Sequence, residues 1–207
     1  MSKPRRSSGS WRERQERDPY VRRARQAGWR SRAVYKLAEI DERQKLLRPG
    51  MRVVDLGAAP GGWSQYVGER LKHNVRVVAV DILAMDALAC VDFLQADIEE
   101  IETVEALRER LGGEGADLVM SDMAPNITGV RAVDQPRSVA LAELALDSAH
   151  RLLKPGGDFL CKLFQGEGTD GFVAEARRAF GTVKVLKPKA SRPGSNEIYL
   201  LARNYQL

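Results

Sequence analysis

Long apolar runs are missing from this chain. Nowhere in its 207 residues do about eighteen apolar residues follow one another, so nothing in it reads as a membrane span. Cysteine is scarce: Cys90 and Cys161 cannot build a disulfide framework, and their spacing matches no metal motif. Histidine is equally sparse, and a zinc site on His73 or His150 would need carboxylates that do not cluster around them. The opening stretch, MSKPRRSSGSWRERQERD, is basic but lacks the apolar core of a secretion signal. These absences predict a cytoplasmic protein without a metal. What is present, 43% apolar and 29% charged residues, suits one globular domain with a real core.

Charge is unevenly spread. Residues 1–50 hold fifteen Lys or Arg against six Asp or Glu, whereas the other 157 residues hold 18 against 22. A basic front on a mildly acidic body points to a polyanionic partner or to a solvated tail, and charge alone leaves both open. Residues 1–15, rich in Ser, Arg, Lys and Pro, predict a disordered basic tail ahead of a single domain over 16–207.

Periodicity supplies the rest of the plan. SRAVYKLAEIDERQKL (31–46) predicts a helix, with Ser31 as its N-cap and Ala33, Leu37 and Ile40 on one face, before Pro49-Gly50 breaks the chain. Then strands and helices alternate. Strands are predicted over 51–56, 75–81, 91–97, 116–122 and 157–164. Helices are predicted near 62–72, 99–111, 136–153 and 170–180, the third starting after Pro136. Two last strands, 182–187 and 197–203, are joined by a Ser/Pro/Gly loop too short for a crossover helix, so they should pair antiparallel. The prediction is an α/β, Rossmann-like fold. Its sheet has seven strands, mostly parallel with one antiparallel, and helices cover both faces.

In such a sheet ligands sit beyond the carboxyl ends of the parallel strands. Asp55, Asp81, Asp97 and Asp122 end the first four strands, Lys162 lies in the fifth, and Glu197 begins the reversed last strand at the same rim. Gly57 permits a tight turn in DLGAAPGGWSQY (55–66), and Gly61-Gly62 let backbone approach a ligand at a helix start. Ala59 stands where a dinucleotide fingerprint needs glycine, and the Asp55-x-Gly57 opening suits a ligand without pyrophosphate, such as S-adenosylmethionine. Asp81 would then accept the ribose hydroxyls and Asp97 the adenine amino group, with Trp63 packed beside the cofactor or in the core.

Methyl transfer from a sulfonium is an in-line displacement that, for a hydroxyl, also needs a proton removed. Lys162, in a strand buried on both faces, is the expected base; a structural ion pair with Asp122 is the competing reading. Neighbouring charges pull in both directions, and the alternative is that lysines steady a developing alkoxide.

Four motifs in order, DLGAAPGGWSQY, SDMAPNITG (121–129), KLFQGEG (162–168) and the Ser191-to-Tyr199 stretch ending SNEIY, closely resemble the FtsJ/RrmJ (RlmE) family of RNA ribose 2′-O-methyltransferases. The resemblance runs from about Trp11 to Ala202. It implies a catalytic set of Lys36, Asp122, Lys162 and Glu197, with Lys162 as proton acceptor. It also implies S-adenosylmethionine contacts at Gly61, Trp63, Asp81, Asp97 and Asp122, to which the turn adds Asp55 and Gly57. Its implied substrate is a uridine 2′-hydroxyl in the aminoacyl-tRNA-binding loop of 23S rRNA, within the large ribosomal subunit and without an obligate protein partner, the enzyme being a monomer. The N-terminal helices of 16–48 become an RNA-contacting surface carrying Arg22, Arg23, Arg30 and Arg32, extended by Lys187 and Arg192.

Rivals remain at this level. A related enzyme acting on tRNA or an mRNA cap shares the motifs, a catalytically silent RNA-binding assembly factor shares the basic front, and a nicotinamide dehydrogenase shares the topology.

Overall fold

The computed structural model describes residues 18–192 and 194–207; the tail expected over 1–15 lies outside them. The chain opens with helices α1 (Pro19–Gln26) and α2 (Val34–Gln44). Alternation follows: β1 (Met51–Leu56), α3 (Gly62–Arg70), β2 (Val75–Asp81), β3 (Val91–Gln95), α4 (Ile101–Arg110) and β4 (Ala116–Ser121). It closes with α5 (Arg131–Leu152), β5 (Leu153–Phe164), α6 (Thr169–Ala179), β6 (Phe180–Leu186) and β7 (Glu197–Tyr205).

One sheet holds all seven described strands in the order β3-β2-β1-β4-β5-β7-β6. The pairs β1–β2, β1–β4, β2–β3 and β4–β5 are parallel. Only β7 runs the other way, antiparallel to both β5 and β6. The order reverses between β1 and β4, and that reversal opens a crevice beyond their carboxyl ends.

Alternate strand residues face opposite layers, so neighbours such as Val53 and Val54 serve two different cores. On one face α4, α5 and α6 bring Leu107, Leu146, Ala149 and Phe172 against Val54, Val119 and Phe159. On the other, α2 and α3 bring Leu37, Ile40, Trp63 and Val67 against Val53, Leu118, Leu160 and Tyr199. Each fully buried aliphatic side chain of this kind contributes roughly 1.5–3 kcal/mol. Burial on both faces is why these strands read as apolar runs rather than as alternations.

Several boundaries differ from expectation, among them β5 beginning at Leu153 and β7 ending at Tyr205. Helix α2 begins at Val34 after Ala33, without a side-chain cap. Ser31 instead packs its hydroxyl against Gly62, where any β-carbon would collide with it. Helix α5 starts five residues ahead of Pro136. The Asp134 carboxylate accepts the Thr128 and Gly129 amides, each at 2.9 Å, and the Thr128 hydroxyl at 2.8 Å. These bonds tie the first turn to the loop before it, while the proline removes a single main-chain bond. Strand β3 ends at Gln95, which leaves Asp97 two residues beyond the sheet.

Helix α1 is set by Asp18, whose carboxylate accepts the Tyr20 amide at 3.0 Å, with Pro19 in the first turn. Val21 and Ala24 are buried, and the Tyr20 and Tyr35 rings meet at 5.5 Å. The link to α2 docks on α3 through Gln65, which accepts the Arg30 amide at 3.0 Å and donates to the Gly28 carbonyl at 3.1 Å.

Candidate active site

Beyond the ends of β1, β2 and β4 lies a cavity of about 460 Å³ lined by Gly57, Asp81, Asp97 and Asp122, with Ile82, Ile98 and Met123 as its apolar walls. Gly57 has φ +72°, and a β-carbon there would collide with Met123 Cγ. Asp81 is aimed from beneath: Ala59 N donates to one oxygen at 2.9 Å and Leu83 N to the other at 2.8 Å. Asp97 accepts the Glu99 amide at 3.0 Å. Each carboxylate keeps acceptor capacity for a ligand hydroxyl or amine.

Beside that cavity four charges from four segments converge. Lys36 of α2 meets Glu197 of β7 at 2.9 Å, and Lys162 of β5 meets Asp122, just after β4, at 3.2 Å. Lys162 Nζ also donates to the Asp122 carbonyl. In the register of β5 and β7, Lys162 lies opposite Tyr199 and Phe164 opposite Glu197, so Glu197 reaches the rim because its strand is reversed. Tyr199 couples the two pairs. Its hydroxyl donates to Asp122 Oδ1 at 2.6 Å, and Lys36 Nζ lies 5.7 Å from its ring centre. Ser191 donates to the second Glu197 oxygen at 2.9 Å.

These four side chains are only 8–18% exposed, so their interactions are weakly screened. Burial alone would raise the Asp122 carboxyl, but the charges of Lys162 and Lys36 and the Tyr199 hydrogen bond hold it below the usual carboxylate range. Burial, together with the nearby Asp122 carboxylate, pushes the Tyr199 phenol well above its ordinary value, so it acts as a fixed donor. Asp122 faces both ways, lining the cavity and pairing with Lys162.

Not every predicted ligand lies at the cavity. Asp55 is 1% exposed and sits beneath it, accepting the Ser64 hydroxyl at 2.6 Å; burial pushes its carboxyl up to about 7. Trp63 belongs to the core, its indole donating to the Ala33 carbonyl at 2.9 Å and tilted on Tyr199 at 5.8 Å. Gly61, at φ +101°, opens α3 beneath Met85, Leu88 and Arg30, none of which would leave room for a β-carbon.

The predicted RNA-facing cations also make contacts within the fold. Arg30 donates to the carbonyls of Pro60, Asp86 and Ala87 at 3.2, 2.7 and 2.9 Å, which pins the 82–90 segment beside Gly61. Arg32 is bound to Asp18 and the Ala190 carbonyl, Arg192 to Asp18 at 3.3 Å, and Lys187 to the Ser195 and Glu197 carbonyls. Each of these four side chains thus contacts the fold, Arg30 and Arg32 while partly buried, Arg192 and Lys187 while still exposed. Arg23 stacks on Tyr35 at 4.9 Å, while Arg22 is exposed.

Sequence reasoning missed Tyr199, Ser191 and Asp18. Tyr199 could have been found, since it lies two residues beyond Glu197 and therefore on the same strand face. Nothing local marks Ser191 or Asp18, whose partners are distant.

A family model described as FtsJ-like methyltransferase matches residues 29–205. A Chromohalobacter salexigens protein named ribosomal RNA large subunit methyltransferase E is 53% identical over 199 residues, 96% of this chain and 95% of that one. A Pseudomonas aeruginosa protein of the same name is 54% identical over 189 residues, 91% of each chain. Among solved structures, one from Plasmodium falciparum described as a ribosomal RNA methyltransferase superposes with a TM-score of 0.77 at 29% identity, covering 86% of this chain and 98% of that one.

Proposed function

Because the chain belongs to the FtsJ-like methyltransferase family, we propose that it carries a methyl group from S-adenosylmethionine to a ribose 2′-hydroxyl of 23S rRNA in the large ribosomal subunit. The acceptor in this reading is a uridine of the aminoacyl-tRNA-binding loop. The enzyme acts in the cytoplasm as a monomer; among the described residues no helix is long and apolar enough to cross a membrane. The observation that carries the reading is Asp122, shared between a carboxylate-lined cavity and an enclosed lysine.

The cavity suits the cofactor's chemistry. Asp81 fits a ribose diol, Asp97 an exocyclic amine, and Ile82, Ile98 and Met123 give an apolar bed for a purine. Asp122 supplies negative charge where a sulfonium would need it. When bound, S-adenosylmethionine supplies an electrophilic methyl group on that sulfonium.

The protein's part is placement and proton handling. Once Lys162 has released its own proton to solvent, its neutral amine would take the 2′-hydroxyl proton as the new carbon–oxygen bond forms and the donor's methyl–sulfur bond breaks, and Asp122 keeps its Nζ aimed through the 3.2 Å contact. Lys36 and Glu197 orient the hydroxyl and its developing negative charge; Tyr199 and Ser191 lock the acids that hold both lysines. In the chain's first part, exposed Arg22 supplies phosphate attraction.

Large subunits purified from cells lacking the protein, incubated with it and S-adenosylmethionine, should gain one ribose methyl group on 23S rRNA by mass-spectrometric mapping. Methylation of tRNA in preference to subunits would overturn the substrate assignment; no transfer to either would overturn the activity.

A further inference from the structure

A second cavity, of about 650 Å³, opens on the other side of the β5–β7 tip from the lysine pair. Side-chain alternation explains the separation. Glu197 and Tyr199 turn toward Lys36 and Lys162, whereas Ile198, opposite Leu163 in the register, turns to the α5–α6 face. The floor is apolar, formed by Val173 of α6, Val185 of β6 and Ile198. Val185 is 51% exposed, a large apolar surface for a strand residue that borders a charged rim.

The mouth of this cavity is built rather than loose. Gln135 Nε2 donates to the carbonyls of Phe164 and Glu167 at 2.7 and 3.1 Å, and Thr169 Oγ1 accepts the Gly166 amide at 3.0 Å. Gln165 N donates to the Asn196 carbonyl at 2.8 Å. Gln165 and Asn196 are thereby fixed as neighbours directly beside Phe164 and Glu197. Their side-chain amides have no hydrogen-bond partner among the described residues. Arg131, at the start of α5, and Arg177, on α6, add two guanidinium groups to the same lining, against the single acid Asp170. Neither arginine is ion-paired among the described residues, in contrast to Arg32 and Arg192.

An apolar floor, two free amides and two unpaired guanidiniums match the parts of a nucleotide. A base lies on the valine and isoleucine surface, amides read its edge, and arginine takes phosphate in bidentate fashion. Building on the RNA 2′-O-methylation reading above, we infer that this cavity holds a nucleotide adjacent to the methylated one, on the same RNA strand. A strand whose target ribose lies over Lys162 reaches the cavity by turning around the Phe164–Glu197 tip. Splaying the neighbour away in this manner presents the target ribose alone to the lysines, in keeping with recognition of unstacked RNA loops.

The test uses the full-length enzyme, S-adenosylmethionine and unmodified large subunits. For the double variant Arg131→Ala/Arg177→Ala, KM for subunits should rise at least about fivefold, and the slope of log KM against log salt should flatten by about one per arginine. Turnover at saturating subunits and calorimetric cofactor affinity should stay at wild-type values, and Arg131→Lys/Arg177→Lys should restore the slope. Unchanged KM and slope, with wild-type enzyme active, would overturn the pocket alone. Lost cofactor binding would overturn it too, by making the arginines supports of the fold. Wild-type enzyme inactive on every RNA would instead remove the reading beneath.

Discussion

The rim cluster and the N-terminal arginines make an instructive pair, because Lys36 and those arginines come from the same basic front of the chain and use their charge in opposite ways. At the rim, Lys36 and Lys162 are each matched to one carboxylate within a nearly enclosed space. Before α2, Arg30 spends its donors on three backbone carbonyls, and Arg32 ties Asp18 to the 190 loop. Charge therefore says little until its partner is known. A lysine facing a carboxylate beside a cavity is placed for chemistry, while an arginine facing carbonyls is a fastener.

The sharpest way to break this contrast is Lys162→Ala. Loss of a positioned proton acceptor should lower kcat by about 10²–10⁴-fold, with cofactor affinity unchanged by calorimetry. Full activity in the variant would reduce the Lys162–Asp122 pair to a structural contact.

Asp55 is the control, an enclosed acid without a cationic partner. Burial raises its carboxyl from 3.8 to about 7, so the folded state holds its proton more tightly than the unfolded chain does. The stability this group lends is complete below about pH 4 and is lost as pH rises through about 7. Asp55→Asn, which can still accept the Ser64 hydroxyl, removes that dependence. Its advantage over wild type in urea unfolding should grow by about 2–3 kcal/mol from pH 5 to pH 8. A constant difference between those pH values would mean that Asp55 is ionised when folded.

The smallest effects separate the arginines from one another. Arg30→Ala should cost about 1–2 kcal/mol of stability and weaken cofactor binding, because the Pro60 carbonyl it holds adjoins Ala59, whose amide aims Asp81 into the cavity. Its effect on the salt dependence of RNA binding should be negligible. Arg22→Ala should leave unfolding and cofactor binding alone but reduce the salt slope by about one. If the two variants behave alike, the distinction between fastener and contact fails.

Much of the fold was legible because it rests on local pattern. The apolar runs of β1, β2 and β4 and the glycines of the first turn sit where periodicity and φ demands put them. The boundaries that moved, at Ser31 and Pro136, did so under contacts from Gly62 and Asp134. The site was legible in part. Aspartates at strand ends follow from topology, so Asp81, Asp97 and Asp122 could be placed at the cavity in advance. Asp55 and Trp63 could not be told from their neighbours, because adjacent positions at a strand end or helix start differ only in the direction their side chains take.

The sequence alone determined the layers, the strand rim and the kind of chemistry gathered there, since alternation, helical spacing and turn residues act over a few positions at a time. Only the tertiary structure decided which charges meet. Lys36 and Glu197 are separated by 161 positions, and Arg32 reaches Asp18 and the Ala190 carbonyl. Ion pairing depends on distances of a few ångströms, and no local pattern carries that information across the chain.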